Sequence, residues 1–508
     1  MQNNLKRIIW VGSMVLFLCL LGFFGGWMTG ETRASATETN LTDDSYESLR
    51  PLIQSLALIR ANYVDEAKTK QKDLVYGAIK GMVGTLDPYS QFMDPQSFKD
   101  MKQDTQGSFG GLGIEIAIKD NVLTIVTPID GTPAQKAGVQ PGDQILKIDG
   151  KGTDGISIMD AVHKMRGVPG TRCVITVRRN GSEDWIDFPI IRDIIKIRSI
   201  RSELLDGQIG YIRITEFMEQ TGDDFDKALK SLEAQNIKGL ILDLRNNPGG
   251  LLNMAAQIAE YFVPQGKLLV YTEGRSQAQN MRFISTARHS FDAGPLAVLV
   301  NQGSASASEI VAGAIQDWGL GVIVGERTFG KGSVQTIIPM NDGSALRLTT
   351  ARYLTPKGQI IHGNGIKPDL NVETFKPNDF TVHLIQEKRL EEFVHDYLKV
   401  HAKGEEPVEK PTENVKVSED SWEKLKPKTQ DEKLSDAFTQ WMRDGRHDIV
   451  KADYSQDQPY LLSRIREEIA LRLNGMDAAR KVQVENDPQV QRAKDAIAIT
   501  RRCGKTDK

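Results

Sequence analysis

This sequence has few cysteines, few histidines and almost no net charge. Its 508 residues include 3 cysteines and 7 histidines, and so few cysteines exclude a disulfide-stapled scaffold. Lys and Arg number 64 against 67 Asp and Glu, a formal net charge of −3. This near-balance argues against a nucleic-acid-binding protein, which normally carries a basic surface. Because 40% of the residues are hydrophobic, the chain can bury a large core and does not have the composition of a disordered protein.

One long apolar run is present, and it lies near the N-terminus. Residues 8–28 are almost wholly apolar and follow Lys6 and Arg7. A membrane span needs about 20 residues, whereas the apolar part of a signal peptide is usually about 7–15. The small-x-small sequence at 34–36 also fits a cleavage site. The sequence therefore predicts either a signal peptide or a membrane anchor over 1–36, and the flanking positive charges predict export of the rest of the chain.

The remaining chain divides into four parts by its local patterns. Residues 37–104 have helical spacing of apolar residues, and 105–190 contain short β-branched runs broken by Gly and Pro, with one helix at 157–165. Over 191–375, strands at 209–214, 239–244, 296–300 and 321–324 alternate with helices at 221–235, 251–261 and 309–318. This alternation predicts an α/β layer fold. Residues 376–508 are helical and polar, with a flexible linker predicted at 403–430.

Short glycine motifs follow one another in the β-rich part. GLGI at 111–114 is followed by GTPA at 131–134, AGV at 137–139, PGDQI at 141–145 and IDG at 148–150. Together they resemble a PDZ domain. The backbone N–H groups of Gly111, Leu112, Gly113 and Ile114 can form an anion nest, and a peptide C-terminus can dock there by strand addition. The alternative is that these glycines only make a tight turn.

Two further segments carry residues suited to acyl transfer. GSASASE at 303–309 joins a predicted strand to a helix, and Ser306 and Glu309 have the spacing of a capping box, which is a far more common feature than a nucleophile. The same turn can also expose Ser306 and aim the N–H of Ala307 at a substrate carbonyl. FGKG at 329–332 supplies Lys331, which shares a face with Gln335 if the segment is extended.

These two segments belong to a larger set of motifs. With DLRNNPGG at 243–250, YLTP at 353–356 and GNGIKPD at 363–369, they resemble the C-terminal processing (tail-specific) peptidases, serine proteases with a Ser/Lys dyad and a PDZ domain. The resemblance covers residues 45–375. It implies an α/β core of crotonase and Clp protease architecture, an inserted PDZ domain and flanking helical segments. It also implies that Ser306 is the nucleophile, Lys331 the general base and Gln335 the residue that orients the lysine.

The chemistry of a Ser/Lys pair agrees with these roles. A serine hydroxyl needs a base within hydrogen-bond reach, and lysine serves only if burial lowers its pKa from about 10.4 towards 7–8. An amide such as Gln335 can hold the amine without stabilising the ammonium, as a carboxylate would. The expected oxyanion donors are the N–H groups of Ala307 and of Gly249, with Gly250 as the alternative to Gly249.

Some residues have a functional and a structural interpretation. In the peptidase family the position of Arg166 suggests a gating contact between the PDZ domain and the catalytic core, and the alternative is a cation at a helix end. A Ser-His-Asp triad would need His289 or His362, which both look like ordinary surface histidines. Asp317 either contacts the dyad or forms a salt bridge. No zinc-binding or nucleotide-binding motif is present, so no metal and no other cofactor is expected.

The sequence as a whole predicts an exported endopeptidase on the periplasmic or cell-envelope side of the inner membrane. It would bind protein C-termini in its PDZ domain and cleave them through an acyl-enzyme. The expected partners are these C-termini, the membrane and a second copy of the chain, because flanking helices often mediate self-association in the family; no nucleic acid is expected. Two alternatives are a non-catalytic scaffold and a small-ester hydrolase, which would need a nucleophile elbow with a downstream acid and histidine.

Overall fold

The computed structural model describes residues 43–119, 121–129, 131–179, 184–286, 291–401, 428–444 and 457–503. The predicted signal peptide or anchor at 1–36 lies outside these ranges, as does most of the predicted linker at 403–430. The chain divides into two compact units, one made of Met1–Phe98 with Gln335–Thr349 and the other of Lys99–Val334 with Thr350–Lys508. Within the described ranges, the helices are too short or too polar to cross a membrane.

The smaller unit begins with helices, as its apolar spacing predicts, and then adds a short strand that the sequence does not announce. Its elements are α1 (Asp43–Asn62), α2 (Gln71–Gly84) and β1 (Gln91–Met93). Strand β1 pairs antiparallel with residues 345–347, which places Phe92 and Met93 in the core of this unit. Tyr76 on α2 lies 4.8 Å from Phe92, centroid to centroid, and donates a hydrogen bond of 2.8 Å to Asp342.

The larger unit contains a β-rich domain after helix α3 (Pro95–Gln106). Its strands are β2 (Ser108–Gly111), β3 (Ile114–Lys119), β4 (Val122–Pro128), β5 (Gln144–Ile148), β6 (Lys151–Gly152), β7 (Arg172–Arg178), β8 (Trp185–Ile191) and β9 (Asp193–Lys196), and its helices are α4 (Pro133–Lys136) and α5 (Ile158–Met165). The main sheet has the order β3-β4-β5-β7-β8, with β6 beside β5, while β2 and β9 form a ribbon. Ile125, Ile145 and Ile175 are buried in one core with Ala161 and Met165 of α5. Strand β3 stands at the edge of this sheet.

A second sheet of the larger unit forms the α/β core. Its strands are β10 (Ile200–Leu205), β11 (Ile209–Ile214), β12 (Leu240–Asp243), β15 (Leu296–Val300), β16 (Val322–Gly325) and β19 (Leu370–Asn371), in the spatial order β10-β11-β12-β15-β16-β19. Strand β10 is antiparallel to β11, and all later pairs are parallel. Helices α6 (Thr221–Glu233), α7 (Leu252–Glu260) and α8 (Ala307–Trp318) cover one face, which Leu242 and Val298 point into. Alternate residues such as Ile241 and Leu299 belong to a separate core on the other face.

Further strands lie outside these two sheets, and their residues within 335–349 belong to the smaller unit. They are β13 (Leu268–Gly274), β14 (Arg282–Ile284), β17 (Ser333–Pro339) and β18 (Ala345–Leu354). Residues 351–354 of β18 pair antiparallel with β13, which in turn pairs with β14. This sheet brings Tyr353 close to Ser306 in the loop that follows β15.

The C-terminal part is helical, as predicted. Its helices are α9 (Asp379–Gln386), α10 (Arg389–His401), α11 (Lys428–Asp444), α12 (Gln458–Asn474), α13 (Met476–Glu485) and α14 (Pro488–Cys503). Helices α9 to α12 share a core of their own, with Phe393, Phe438 and Ile465 at its centre. Helix α14 instead packs Val490, Ala493 and Ile497 onto the second face of the α/β sheet. The predicted α/β core with an added β-rich domain and flanking helices is confirmed.

Candidate active site

Three neighbouring parallel strands end in the loops that carry the candidate residues. The loop with Gly249 follows β12, the loop with Ser306 follows β15, and the loop with Lys331 follows β16. The carboxyl ends of parallel strands meet at one edge of a sheet, which is where open α/β sheets bind their ligands. The topology therefore brings the three predicted segments to the same edge.

Ser306 occupies a backbone conformation that residues other than glycine rarely adopt. Its φ is 57° and its ψ is −113°, and helix α8 begins at the next residue. Such a conformation costs about 1–3 kcal/mol and persists only when surrounding contacts impose it. Here Ala305 N–H donates to the carbonyl of Asn247 at 3.0 Å, and Ser306 N–H donates to the Glu309 carboxylate at 2.8 Å. The turn is therefore held on both sides of the serine.

The Glu309 carboxylate is fully buried and accepts hydrogen bonds from the segments of both Ser306 and Lys331. Its Oε2 accepts from the backbone N–H groups of Ser306 at 2.8 Å and Lys331 at 2.9 Å. Its Oε1 accepts from Thr328 Oγ1 at 2.5 Å and from Gly330 N–H at 2.7 Å. Burial raises the pKa of Glu309, and these donors oppose the rise. One carboxylate thus fixes the backbone of Ser306 relative to that of Lys331.

Tyr353 contacts the hydroxyl of Ser306 directly. Its Oη lies 2.9 Å from Ser306 Oγ and donates to the carbonyl of Ser333 at 2.8 Å. A phenol has one proton, so Ser306 is the donor in the bond between the two hydroxyls. Burial raises the pKa of Tyr353 to about 12, and the phenol therefore stays neutral at physiological pH. Tyr353 N–H also donates to the carbonyl of Gly332 at 2.9 Å, which ties the tyrosine to the lysine segment.

Gly249 lies against the serine turn. It has a φ of 107°, and a Cβ at this position would come within 2.7 Å of Ser306 Cβ and 3.0 Å of Ala307 N. Its N–H donates to Asn247 Oδ1 at 2.9 Å, and the buried Asn247 donates in turn to the carbonyl of Ile214. Gly249 thus lies beside Ala307, but its N–H already has an acceptor, and its role as an oxyanion donor stays a prediction. Gly250 meets the backbone of Phe217 instead, where a Cβ would lie 2.2 Å from the carbonyl oxygen.

Gln335 belongs to the smaller unit, whereas Ser306 and Lys331 belong to the larger one. Its side-chain Nε2 lies 3.4 Å from Thr349 Oγ1, which accepts a hydrogen bond from it. The role of Gln335 in orienting Lys331 stays a prediction.

The PDZ segment at 111–114 makes a tight connection between two strands, and the anion nest stays a prediction. The carbonyls of Leu112 and Gly113 accept hydrogen bonds from Ala134 and Ile129, and Gly113 has a φ of 79° with Thr132 packed against it. Leu112 is buried, and β3 begins directly afterwards at Ile114. Gly111 thus ends β2 and Ile114 begins β3, and Leu112 and Gly113 make the tight connection that leads into the edge strand of the sheet.

Arg166 reaches from the β-rich domain to helix α3. Its guanidinium lies 3.0 Å from the Asp104 carboxylate and 4.3 Å from the ring centroid of Phe109. Arg166 also ends helix α5, since it is the C-cap residue. The contact with Asp104 fits the gating interpretation, and the position fits the interpretation as a helix-end cation.

The other candidates have structural partners. Asp317 accepts hydrogen bonds from Lys357 N–H at 2.7 Å and from Gln359 Nε2 at 3.1 Å, so it holds the turn after β18. The backbone of His362 packs against Gly332, while His289 lies outside the described residues. Among the residues that the structure describes, no group of three or more His, Cys, Asp or Glu side chains could hold a metal ion.

Sequence reasoning gave no role to Tyr353 and treated Glu309 only as a capping residue. Tyr353 occurs in the YLTP motif, and that motif was the available indication of its importance. Its contact with Ser306 spans 47 positions in the chain, and no local pattern reveals such a pairing. Glu309 does accept the N–H of Ser306, as a capping box requires, and its bonds to the lysine segment depend on the tertiary fold.

Comparisons with known proteins agree with the architecture. The model of peptidase family S41 matches residues 208–372, a PDZ domain model matches 124–179, and the model of the activating protease CtpB N-terminal domain matches 11–97. A carboxy-terminal-processing protease of Bartonella bacilliformis is 44% identical over 351 residues, which are 68% of this chain and 80% of that protein. The carboxy-terminal processing protease CtpA of Bacillus subtilis is 38% identical over 374 residues, 73% of this chain and 78% of that protein.

A solved structure is also similar. The photosystem II D1 C-terminal processing protease aligns with 30% sequence identity and a TM-score of 0.40, over 63% of this chain and 92% of that one. The identity and coverage of the two bacterial relatives establish the family. The chain belongs to the carboxy-terminal processing proteases of peptidase family S41, and it is a serine protease with a PDZ domain.

Proposed function

We propose that this protein is an exported endopeptidase that cuts proteins near their C-termini with Ser306 as nucleophile and Lys331 as general base. The observation that carries the proposal is that the backbone N–H groups of Ser306 and Lys331 both donate to one oxygen of Glu309. A buried carboxylate shared in this way keeps two residues from distant parts of the sequence at a fixed spacing. The family indicates a peptidase, which argues against both a non-catalytic scaffold and a small-ester hydrolase.

The reaction then runs through an acyl-enzyme. Ser306 Oγ attacks the scissile carbonyl carbon while the neutral Lys331 amine takes the hydroxyl proton. The N–H of Ala307, at the first turn of α8, donates to the oxyanion. The second donor is Gly249, once its N–H leaves Asn247, or Gly250. Collapse of the intermediate breaks the C–N bond, and the Lys331 ammonium gives its proton to the departing amine. A water molecule, deprotonated by Lys331, then releases the acyl group and restores Ser306.

The PDZ domain would supply the substrate's C-terminus. Strand β3 lies at the edge of its sheet, so an extended peptide can add to it as a further strand. The segment of Gly111, Leu112, Gly113 and Ile114 leads into this strand, and its backbone N–H groups would receive the terminal carboxylate. Arg166, which contacts Asp104, would signal to the catalytic core whether a peptide is bound beside β3.

Ser306→Ala and Lys331→Ala provide the direct test. Purified variants are incubated with an unfolded protein that carries an apolar C-terminal tail, and mass spectrometry measures the fragments. Both variants should lose cleavage while keeping the circular dichroism spectrum of the wild type. Ser276→Ala and Lys230→Ala, at an exposed serine and an exposed lysine, should cleave normally. Undiminished cleavage by Ser306→Ala would refute the proposal.

Gln335 can be tested by a change of charge. If its amide holds the Lys331 amine, Gln335→Glu adds a negative charge that stabilises the ammonium. The activity of this variant should then fall at neutral pH and recover at higher pH, so its pH–rate profile shifts to the alkaline side. Gln335→Met should lose activity without such a shift. An unshifted profile for Gln335→Glu would remove Gln335 from contact with the amine.

We also propose export with the N-terminal segment as signal or anchor. The support is the apolar run at 8–28 after Lys6 and Arg7. Fractionation of cells that produce the full chain should find it in the periplasm or with the inner membrane, accessible to protease added from the periplasmic side. N-terminal sequencing of the product distinguishes a cleaved signal from a retained anchor. Recovery in the cytoplasmic fraction would contradict export.

Self-association is the remaining part of the proposal, and α1 is its support. Apolar side chains on this helix are exposed, among them Leu52 at 44%, Ile53 at 64% and Leu58 at 63%. A second copy of the chain could bury them, and the burial would favour a dimer. Ile53→Glu with Leu58→Glu should then lower the mass measured by sedimentation to that of one chain. A dimer that persists in this variant would place the interface elsewhere.

A further inference from the structure

The last two helices close the second face of the catalytic sheet. Val490, Ala493 and Ile497 of α14 pack with Tyr211, Ile241, Ala297 and Leu299 of the sheet strands in one buried core. A Cβ on Gly239, just before β12, would come within 2.6 Å of Ile497 Cγ2. These helices lie beyond residues 208–372, which match the peptidase family model. A segment outside the family match is therefore part of the core that supports β12.

A buried ion pair lies where β12 ends. Asp243 is fully buried, and Arg245 Nη2 binds its Oδ2 at 2.7 Å while Arg245 N–H and Nε bind its Oδ1 at 2.9 and 3.0 Å. Tyr211 donates to the same carboxylate at 2.7 Å. Burial alone would raise the pKa of Asp243, but the charges of Arg245 and Arg213, together with the hydrogen bonds from Arg245 and Tyr211, outweigh it and lower that pKa. The pair is thus charged, and it fixes the first turn of the 243–250 loop.

The remaining guanidinium nitrogen of this arginine is held by the C-terminal segment. Arg245 Nη1 donates to Asp487 Oδ2 at 2.6 Å and to Gln489 Oε1 at 2.8 Å. Asp487 Oδ1 accepts the N–H groups of Gln489 and Val490 and so caps α14, while Gln489 Nε2 donates to the carbonyl of Val372 at 2.7 Å. The two acceptors are therefore themselves fixed, and they meet Arg245 as a rigid pair.

The same loop continues from Arg245 to the serine. Asn246 N–H donates to Asn301 Oδ1 at 2.8 Å, and the Asn247 carbonyl accepts Ala305 N–H at 3.0 Å and Ser308 Oγ at 3.0 Å. Gly249 then lies against Ser306 and Ala307. The hydrogen bonds of Arg245, and the backbone that runs from Arg245 to Gly249, thus join Asp487 and Gln489 to the wall of the site beside Ser306.

We propose that Asp487 and Gln489 are positioning residues for the 243–250 loop, and that the C-terminal helices thereby complete the oxyanion site of the protease. The inference rests on the proposed function, because it assigns this loop the second oxyanion donor. Charge-assisted bonds to both ends of one guanidinium fix its plane. The backbone that leaves Arg245 towards Gly249 is fixed with it, and catalysis is sensitive to displacements of about 1 Å.

Asp487→Asn is a selective test. Asparagine keeps Oδ1, so the cap of α14 remains, but its amide group presents a donor to Arg245 Nη1, where the aspartate presented an acceptor. With the full chain and a tailed peptide substrate, kcat should fall between about 10-fold and 100-fold while KM stays unchanged. Gln489→Met should give a smaller fall of the same kind. Asp487→Glu, which restores the negative charge, should recover part of kcat.

Two control variants separate positioning from simple loss of structure. Asp477→Asn changes a carboxylate that is 95% exposed and pairs with Arg480, and it should leave kcat and the melting temperature unchanged. Ile465→Val weakens the separate core of helices α9 to α12, so it should lower the melting temperature and leave kcat unchanged. The inference is overturned if Asp487→Asn keeps its kcat, or if its loss of activity merely follows its loss of folded protein. Cleavage by Ser306→Ala would refute the proposed function instead, so the two failures are distinguishable.

Discussion

Removal of the Tyr353 hydroxyl should make Ser306, the proposed nucleophile, more reactive at rest. In the structure Ser306 gives its proton to Tyr353, because the phenol proton is already donated to the Ser333 carbonyl. A serine that donates to a phenol cannot donate to Lys331 at the same time. The bond to Tyr353 therefore holds the nucleophile in a resting position, which it must leave before it can attack.

The magnitude follows from one buried hydrogen bond. Such a bond contributes about 0.5–1.5 kcal/mol, and about 1.4 kcal/mol corresponds to a tenfold change in an equilibrium. Tyr353→Phe should therefore raise the fraction of released serine by roughly two- to tenfold. The variant also leaves the Ser333 carbonyl without this donor, so its melting temperature should fall. Because Tyr353 has a pKa of about 12, the shape of the pH–rate profile below that pH should not change.

The assay is the rate of labelling by a small fluorophosphonate, which reacts with an activated serine and carries no tail for the PDZ domain. Tyr353→Phe should be labelled about two to ten times faster than the wild type at 25 °C. Tyr261→Phe is the matched control, because it removes a hydroxyl that bonds Asp226, and it should be labelled at the wild-type rate. Slower labelling of Tyr353→Phe, with the protein still folded, would show that the hydroxyl assists the reaction, and the reasoning would be refuted.

Two further changes test the surroundings of the serine. Gly249→Ala places a methyl group 2.7 Å from Ser306 Cβ and should abolish peptide cleavage. The control is Gly266→Ala, at a positive φ with open space around it, which should cleave at the wild-type rate. Normal activity of Gly249→Ala would contradict the proposed oxyanion site. Glu309→Gln replaces one acceptor oxygen by a donor that faces two N–H or O–H groups, so activity should be lost and chemical denaturation should show a stability lower by about 1–3 kcal/mol. Full activity of Glu309→Gln would show that the shared carboxylate does not fix the spacing of Ser306 and Lys331.

The core strands and helices were predictable because their patterns are local. Strand 296–300 is a continuous apolar run and was predicted with its observed bounds, as was strand 209–214. Strands β17 and β18 were missed, since their residues are largely half-buried and mix polar with apolar side chains. Propensity gives little indication of a strand whose burial depends on neighbours far along the chain.

The candidate site was predictable in its components but not in its connections. Small-residue turns after buried strands made Ser306 and Gly249 candidates, the resemblance to the peptidase family implied that Ser306 is the nucleophile, and parallel-sheet topology explains why their loops meet. The bond from Arg245 to Asp487 spans 242 positions, so the polar C-terminal part gave no sign of it. The hydrogen bond of Gly249 to Asn247 was likewise invisible, because a sequence shows that a glycine permits close approach but not which acceptor its N–H meets.

The positive φ of Ser306 has an evolutionary consequence. Glycine tolerates that conformation, and a serine there costs about 1–3 kcal/mol. A variant with glycine at 306 would be inactive, but relief of the strain would offset part or all of the stability that the lost side-chain contacts provide. Descendants released from selection for proteolysis could therefore drift to glycine at this position without losing their fold, and a glycine there would mark a chain that has given up catalysis.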